Sequence, residues 1–163
     1  MVADSPDITI LLATSNADFE SAKALIEDYA AEIAIDLCFQ NFTEELANLR
    51  ALYGPPSGAL LLARKNGETI GCVGVRYLSD GVCEMKRLYV KPACRRLGLG
   101  RRLTQEAIDY ARALCYRRMV LDTLTSMTIA LSLYNSMGFQ QIDAYYDSPL
   151  QEVHYLALDL AAN

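Results

Sequence analysis

The sequence predicts a mixed α/β domain built around one sheet, and three observations carry that expectation. Apolar runs at Ala59 to Arg64, Thr69 to Leu78 and Val82 to Val90 are separated by Asn66-Gly67 and Asp80-Gly81, two strong hairpin signals. From Gly98 to Tyr116 the apolar residues change to helical spacing. A short strand, Met119 to Asp122, follows that helix, and a helical crossover makes it parallel to the strand before.

The other elements fall around this centre. Ile8 to Ala13 reads as a first strand. Asn16 suits an N-cap for a helix reaching about Ile35, with Phe19, Ala22, Ile26, Tyr29, Ala30 and Ile33 near helical spacing. A shorter helix is expected over Thr43 to Leu52, and Tyr53-Gly54-Pro55-Pro56-Ser57-Gly58 breaks the pattern before the hairpins. In the helix from Gly98, Leu99, Leu103, Ala107, Tyr110, Ala111 and Leu114 form an apolar face opposite Arg101, Arg102, Gln105, Glu106, Asp109 and Arg112. Thr128 to Met137 is a helix stopped by Gly138, and Phe139 to Ala144 and Glu152 to Leu160 are the final strands. The expected order is βααβββαβαββ, a mixed sheet flanked by helices.

Composition narrows the class. A chain of 163 residues suits one domain, taken here as 1–163, with room for a sizeable core. No segment reaches the roughly 18 unbroken apolar residues of a membrane helix. The acidic start MVADSPDITI lacks the order of a secretory signal, so a soluble, cytoplasmic protein with no membrane partner is expected. The cysteines Cys38, Cys72, Cys83, Cys94 and Cys115 are odd in number and contain no CxxC pair, and the single histidine, His154, is remote from them. Free thiols in a reducing compartment are expected, with no metal site.

A net charge of −5 argues against general nucleic-acid binding. The basic residues are nevertheless concentrated. Lys86, Arg87, Lys91, Arg95, Arg96, Arg101 and Arg102 lie in one window without Asp or Glu, and make up seven of the fifteen Lys and Arg. Such a local positive site points to an anionic ligand. Within it a strand ends, a basic turn Arg95-Arg96-Leu97-Gly98-Leu99-Gly100-Arg101 follows, and an amphipathic helix begins. The first N–H groups of a helix have no internal partners and carry partial positive charge. Glycines at 98 and 100 permit close approach, and arginines supply forked donors, so the turn reads as a pyrophosphate seat. Neither GxxxxGK[ST] nor GxGxxG is present, which weakens the P-loop and dinucleotide-binding readings.

Arg95-x-x-Gly98-x-Gly100 resembles the [QR]-x-x-G-x-[GA] signature of the GNAT (general control non-repressible 5-related) N-acetyltransferase superfamily. The strand Glu84-Met-Lys-Arg-Leu-Tyr-Val-Lys-Pro precedes it at the family's usual distance, and Ala130-Leu-Ser-Leu-Tyr134-Asn-Ser-Met-Gly138-Phe139 resembles the family's A-x-x-L-Y-x-x-x-G-F helix end. The likeness covers about residues 59 to 160. It implies the GNAT acyl-CoA N-acyltransferase fold, with a mostly antiparallel sheet and a CoA-binding core at about 82–140. It also implies transfer of an acetyl group from acetyl-CoA to an amine through a ternary complex.

The resemblance further implies roles. The backbone of Leu88, Tyr89 and Val90 would meet the pantetheine arm, with the N–H near Val90 donating to the thioester oxygen. Arg95, Arg96, Leu97, Gly98, Leu99, Gly100 and Arg101 would hold the pyrophosphate. Tyr134 would protonate the leaving sulfur, as a phenol with a pKa near about 10 can. Deprotonating a lysine-like amine at pH 7 costs on the order of 4–5 kcal/mol, so a base is useful. Glu84 is the candidate base, or else an ion-pair partner of Lys86 or Arg76. Met127 stands where many members carry a CoA-contacting asparagine, and Ser126 or Asn135 could take over that contact. The acceptor site would draw on Tyr29, Phe39, Phe42, Tyr53, Tyr145, Tyr146 and Asp147. Arg76 and Arg87 suit an acceptor carboxylate, whereas Asp147 suits a cationic amine. The acceptor is thus a small-molecule or amino-acid-like amine. A protein lysine or N-terminus, or a CoA-binding regulatory module without activity, are the alternatives, and a homodimer is plausible by the same likeness.

Overall fold

The computed structural model describes residues 7–34 and 41–161. Its elements run β1 (Ile8–Leu12), α1 (Asn16–Ile33), α2 (Phe42–Ala47), α3 (Leu49–Tyr53), β2 (Ala59–Lys65), β3 (Glu68–Ser79), β4 (Val82–Val90), a 3-10 turn (Pro92–Cys94), α4 (Leu99–Ala113), β5 (Arg118–Leu124), α5 (Thr128–Ser136), β6 (Gln140–Ile142) and β7 (Val153–Asp159). The strands form one seven-stranded sheet in the order β1-β2-β3-β4-β5-β7-β6. Every neighbouring pair is antiparallel except β4 and β5, which the α4 crossover makes parallel. Among the described residues no helix is long and apolar enough to cross a membrane.

The expected elements are present, with two local differences. The single helix expected over Thr43 to Leu52 is two short helices, because Asn48 leaves helical geometry between them. The first helix is capped by Ser15 rather than Asn16. The Ser15 hydroxyl accepts from the Asp18 N–H at 3.1 Å, and the Asp18 carboxylate accepts from the N–H groups of Thr14 and Ser15 at 2.9 and 3.0 Å. This reciprocal box is more favourable than a single cap bond from Asn16. The α1 helix closes at Ala34 in left-handed geometry, and Ile35 lies outside the described residues.

Strand alternation divides the core into two layers. On one face of the sheet α4 lays Leu99, Leu103, Ala107, Ile108 and Ala111 over Leu61, Val73, Val75, Met85, Met119 and Leu121. On the other, Phe19, Ala22, Leu25 and Ile26 of α1, with Leu49 and Tyr53, cover Leu60, Leu62, Cys72 and Tyr89. The second layer is apolar only near β1, β2 and the adjoining part of β3. Toward β4 and β5 the same face carries Arg76, Glu84, Lys86 and Asp122, whose register places them side by side. Polar groups are therefore gathered at the sheet centre.

Asp18 joins α1 to the sheet, because Arg64 on β2 also donates to its Oδ1 at 2.6 Å. The Thr14 and Ser15 N–H groups, followed by Arg64, hold this carboxyl well below the usual carboxylate range. Its folded-state affinity for protons is depressed, so its contribution is present above the unfolded carboxylate value of about 3.9 and fades as pH falls below it. Asp18→Asn should cost about 1–2 kcal/mol at neutral pH in urea unfolding. The gap from the parent protein should narrow at pH near about 2; a gap independent of pH would contradict the electrostatic account.

Candidate active site

Only three residue pairs hold β4 to β5: Val82 with Arg118, Cys83 with Met119 and Glu84 with Val120. Both strands then continue, β4 to Val90 and β5 to Leu124, without pairing to each other. They diverge, so the ladder between them ends at Glu84 and Val120. On its other side β4 stays paired to β3, through two irregularities, one of which lies at the splay. Cys72 opposes Tyr89 and Gly74 opposes Lys86, so Val73 alone faces both Arg87 and Leu88. This is a β-bulge, and Arg87 takes φ +62°, a left-handed value uncommon outside glycine. In a regular strand Lys86 and Arg87 would point to opposite faces. With the bulge both line a single cavity of about 100 Å³ between the splayed strands.

Around them the cavity is lined by Asp122 and Thr123 of β5, Tyr134 of α5, Tyr29 of α1 and Met127, together with apolar residues that include Leu88 of β4 and Val153 of β7. The sequence-predicted residues Leu88 and Val90 pack toward the α4 layer, and Tyr89 toward α1. The side chains of Tyr89 and Val90 are thus core, Leu88 is half-buried and also lines the cavity, and the backbone of all three edges the splay. Tyr134 is buried at 6% exposure against Phe139, with ring centroids 5.6 Å apart. Burial, then the nearby Tyr29 and Asp122, push its phenol up, so it keeps its proton at neutral pH.

The charged residues behind the cavity compensate one another. Arg87 donates from Nε and Nη2 to both oxygens of buried Glu45, at 2.7 and 3.2 Å. Its guanidinium also lies over Phe42 at 5.2 Å and Tyr29 at 6.0 Å. Arg76 pairs with Glu84 Oε1 at 2.8–2.9 Å and lies 3.8 Å from Glu45. Tyr145 donates to the other oxygen of Glu84 at 2.5 Å, and Tyr146 donates to Asp122 Oδ2. So Glu84 is engaged at both oxygens, its partner is Arg76, and it does not line the cavity, whereas Asp122 does. Arg76 and Arg87, the carboxylate clamps suggested by sequence, are occupied by Glu84 and Glu45. Asp147 is exposed, and Phe39 and Cys38 lie outside the described residues. Tyr53 is fully buried, and its hydroxyl is the one buried side-chain polar atom without a partner among the described residues.

Asp122 and Lys86 were not singled out as site residues by sequence. The available signal was charge inside two strands joined by a helical crossover, three charged residues in β4 and Asp122 in the apolar part of β5. Met127 fills the place of the expected asparagine, and its sulfur accepts from the Thr123 hydroxyl at 3.5 Å. Asn135 is exposed on α5, as is Ser126 before it.

Beyond the cleft, the basic turn leads into α4. Arg95 folds back, donating to the Val90 carbonyl at 2.9 Å and pairing with Glu32 of α1 at 2.7 Å, with its guanidinium 5.5 Å from the centre of the Tyr89 ring. It ties the turn to the end of β4. Arg96 (φ +71°) and Leu97 are exposed, and Arg101 bonds Ser136 of α5 at 2.6 Å. Gly98 caps the helix in left-handed geometry with no side-chain bond, so the first-turn N–H groups of Leu99, Gly100 and Arg101 await an acceptor. At Gly100 a Cβ would meet only Leu133, at an ordinary 3.6 Å. Nothing inside the protein requires glycine there, whereas a ligand lying on the backbone does.

Residues 22–139 match the model of a family described as the acetyltransferase (GNAT) family. An uncharacterised N-acetyltransferase of Schizosaccharomyces pombe is 44% identical over 88% of this chain and 90% of its own length. An acetyltransferase of the GNAT family from Staphylococcus aureus superposes with a TM-score of 0.78 at 20% identity, covering 94% of this chain and 99% of its own. An acetyltransferase from Salmonella typhimurium, solved with acetyl-CoA, superposes with a TM-score of 0.67 at 20% identity, covering 96% and 95%. These two likenesses speak for the fold.

Among the described residues, no cysteine lines the cavity. Burial pushes Cys72 and Cys83 up to about 12, while Cys115 is exposed. A thiol that far above neutral pH carries almost no thiolate. In the native protein at about pH 8, a disulfide reagent should therefore label Cys115 and leave Cys72 and Cys83 unmodified until denaturant is added. Rapid labelling of Cys83 in the folded protein, read by peptide mass, would reverse that conclusion.

Proposed function

The chain belongs to the GNAT acetyltransferase family, and from that premise we propose that it transfers the acetyl group of acetyl-CoA to the primary amine of a small molecule. The observation that carries this reading is the splay of β4 from β5, opening directly onto a helix N-terminus whose first N–H groups lack side-chain caps. A strand edge that has left its ladder suits an amide-containing arm, and the uncapped helix start suits a pyrophosphate. The open space at Gly100 fits the same ligand.

Acetyl-CoA, when bound, supplies an activated thioester carbonyl. The α4 start, Arg96 to Arg101, would hold its phosphates, and Leu88 to Val90 its arm, with Asn135 at the rim. Arg95 contributes by fixing the turn to Val90 and Glu32. The N–H near Val90 would donate to the thioester oxygen as negative charge develops there. Tyr134 lines the cleft and keeps its proton, so it is placed to release it to a leaving sulfur.

The proton of the acceptor ammonium needs a carboxylate that faces the cavity. Asp122 meets that condition and is our choice for the base. Glu84 has a specific contact in its own favour, since Tyr145 donates to its Oε2 and could relay a proton to it. The two roles separate by experiment. Asp122→Asn should lower kcat at least about 100-fold, within the range attributed to general bases, with acetyl-CoA affinity retained. Glu84→Gln should act mainly on melting temperature, by leaving Arg76 underpaired. The opposite pattern would return the base role to Glu84. Tyr134→Phe should bind acetyl-CoA normally and turn over at least about tenfold more slowly.

The cofactor site is tested first by isothermal titration with acetyl-CoA. Gly100→Val should fold with a melting temperature near that of the parent, because the Cβ site is open, and should lose at least about tenfold in affinity, worth about 1.4 kcal/mol. Unchanged affinity in Gly100→Val would remove the pyrophosphate from α4, and absence of binding by the parent protein would end the acetyltransferase proposal.

A further inference from the structure

The site also carries information about its acceptor. Glu84 and Val120 are the last paired residues of β4 and β5. Two positions further along each strand, on the same face, stand Lys86 and Asp122. A cation and a carboxylate therefore flank the opening at equal height, one on each diverging strand, and both line the cavity. Paired strands lie about 4.8 Å apart, and these two have begun to separate. The gap suits a molecule with opposite charges at its two ends.

Charge balance supports the same choice. Among the described residues, the cations at this face are Arg76, Lys86 and Arg87, and the carboxylates are Glu45, Glu84 and Asp122. Both arginines are matched by the two glutamates. Burial pushes the Lys86 ammonium below its ordinary value, and the nearby carboxylates oppose this, Glu84 first and Asp122 less. Beside the cavity, Tyr145 and Tyr146 of the segment after β6 donate to the carboxylates of both strands. Beside charges as buried as Lys86 and Arg87, an acceptor with a net charge leaves an unbalanced ion, which is costly. An acceptor of zero net charge that carries its own ammonium and carboxylate does not.

We propose, building on the acetyltransferase reading above, that the acceptor is a small zwitterion of the α-amino-acid type, its ammonium received by Asp122 on β5 and its carboxylate by Lys86 on β4. Lys86 is engaged within the protein when no acceptor is bound, so the carboxylate exchanges for existing contacts. The cavity volume of about 100 Å³ agrees with a small molecule. A peptide or protein amine brings no carboxylate at that distance from its nitrogen.

The test is a free-thiol assay of the intact protein with acetyl-CoA and three matched panels: free α-amino acids, their methyl esters, and the corresponding decarboxylated amines, with a lysine-containing peptide amide alongside. The best free acid should exceed its ester and amine in kcat/KM by at least about tenfold, as loss of one charge-assisted contact implies. Lys86→Met should bring acid and ester close to parity, mainly through KM, and Lys86→Arg should restore part of the preference. Titration with acetyl-CoA checks that each variant retains its fold and cofactor site. Esters, amines or the peptide turned over as well as the acids would overturn the proposal. So would an acid preference that survives Lys86→Met, or acetyl-CoA binding with no amino acid acetylated. Failure to bind acetyl-CoA would instead strike the acetyltransferase reading itself, and the zwitterion proposal with it.

Discussion

The structure depends on the early end of pairing between β4 and β5. A parallel ladder three residues long is a weak join for the centre of a seven-stranded sheet. It is sustained from its two sides. β4 is bound along most of its length to β3, and β5 is paired throughout to β7. The α4 layer then spans the join, burying Met85 and Met119 in one apolar cluster. The sheet can therefore open at one end without coming apart, and the opening exposes backbone that would otherwise be spent on a ladder.

The bulge at Arg87 is the second half of the same arrangement. A left-handed residue in a strand costs on the order of 1–3 kcal/mol and persists only where its surroundings hold it. Here Glu45 grips the Arg87 guanidinium at two points, and Phe42 and Tyr29 lie beneath it. The bulge brings Lys86 and Arg87 to one face, and the pairing with Glu45 and of Arg76 with Glu84 keeps that face near neutrality. Such buried pairs are poor sources of stability, because desolvation offsets most of their attraction. Their value lies in position: they fix which charges remain to face a ligand.

The basic turn shows a similar division of labour. Arg95 is spent on holding the turn, while the start of α4, where we propose that the pyrophosphate binds, carries no side-chain cap. Basic side chains at that place still raise the local potential, although the net charge of the whole chain is −5. Glycine at 98 answers to the left-handed cap, and glycine at 100 to space left outside the protein.

Periodicity, hairpin dipeptides and a helical crossover were enough to determine the strand and helix order, the parallel pair and the apolar faces of α4, because each depends on residues near one another in the chain. The turn from Arg95 to Gly100 and the segment ending at Phe139 were legible for the same reason, as contiguous motifs. Asn48 breaking a helix and Ser15 outcompeting Asn16 as a cap turned on single local bonds that composition does not rank. What only the tertiary structure decided was pairing across the fold. Glu84 could be paired with Lys86 or Arg76 as far as sequence went, and its occupation by Arg76 and Tyr145 follows from register and from a loop 61 residues away. Asp122 reads in sequence as the end of a strand, and it becomes a site residue because β5 parts from β4 two positions earlier. Local bonds and periods are written in neighbouring residues; which charges meet is set by the register of distant strands, and no single stretch of chain contains that.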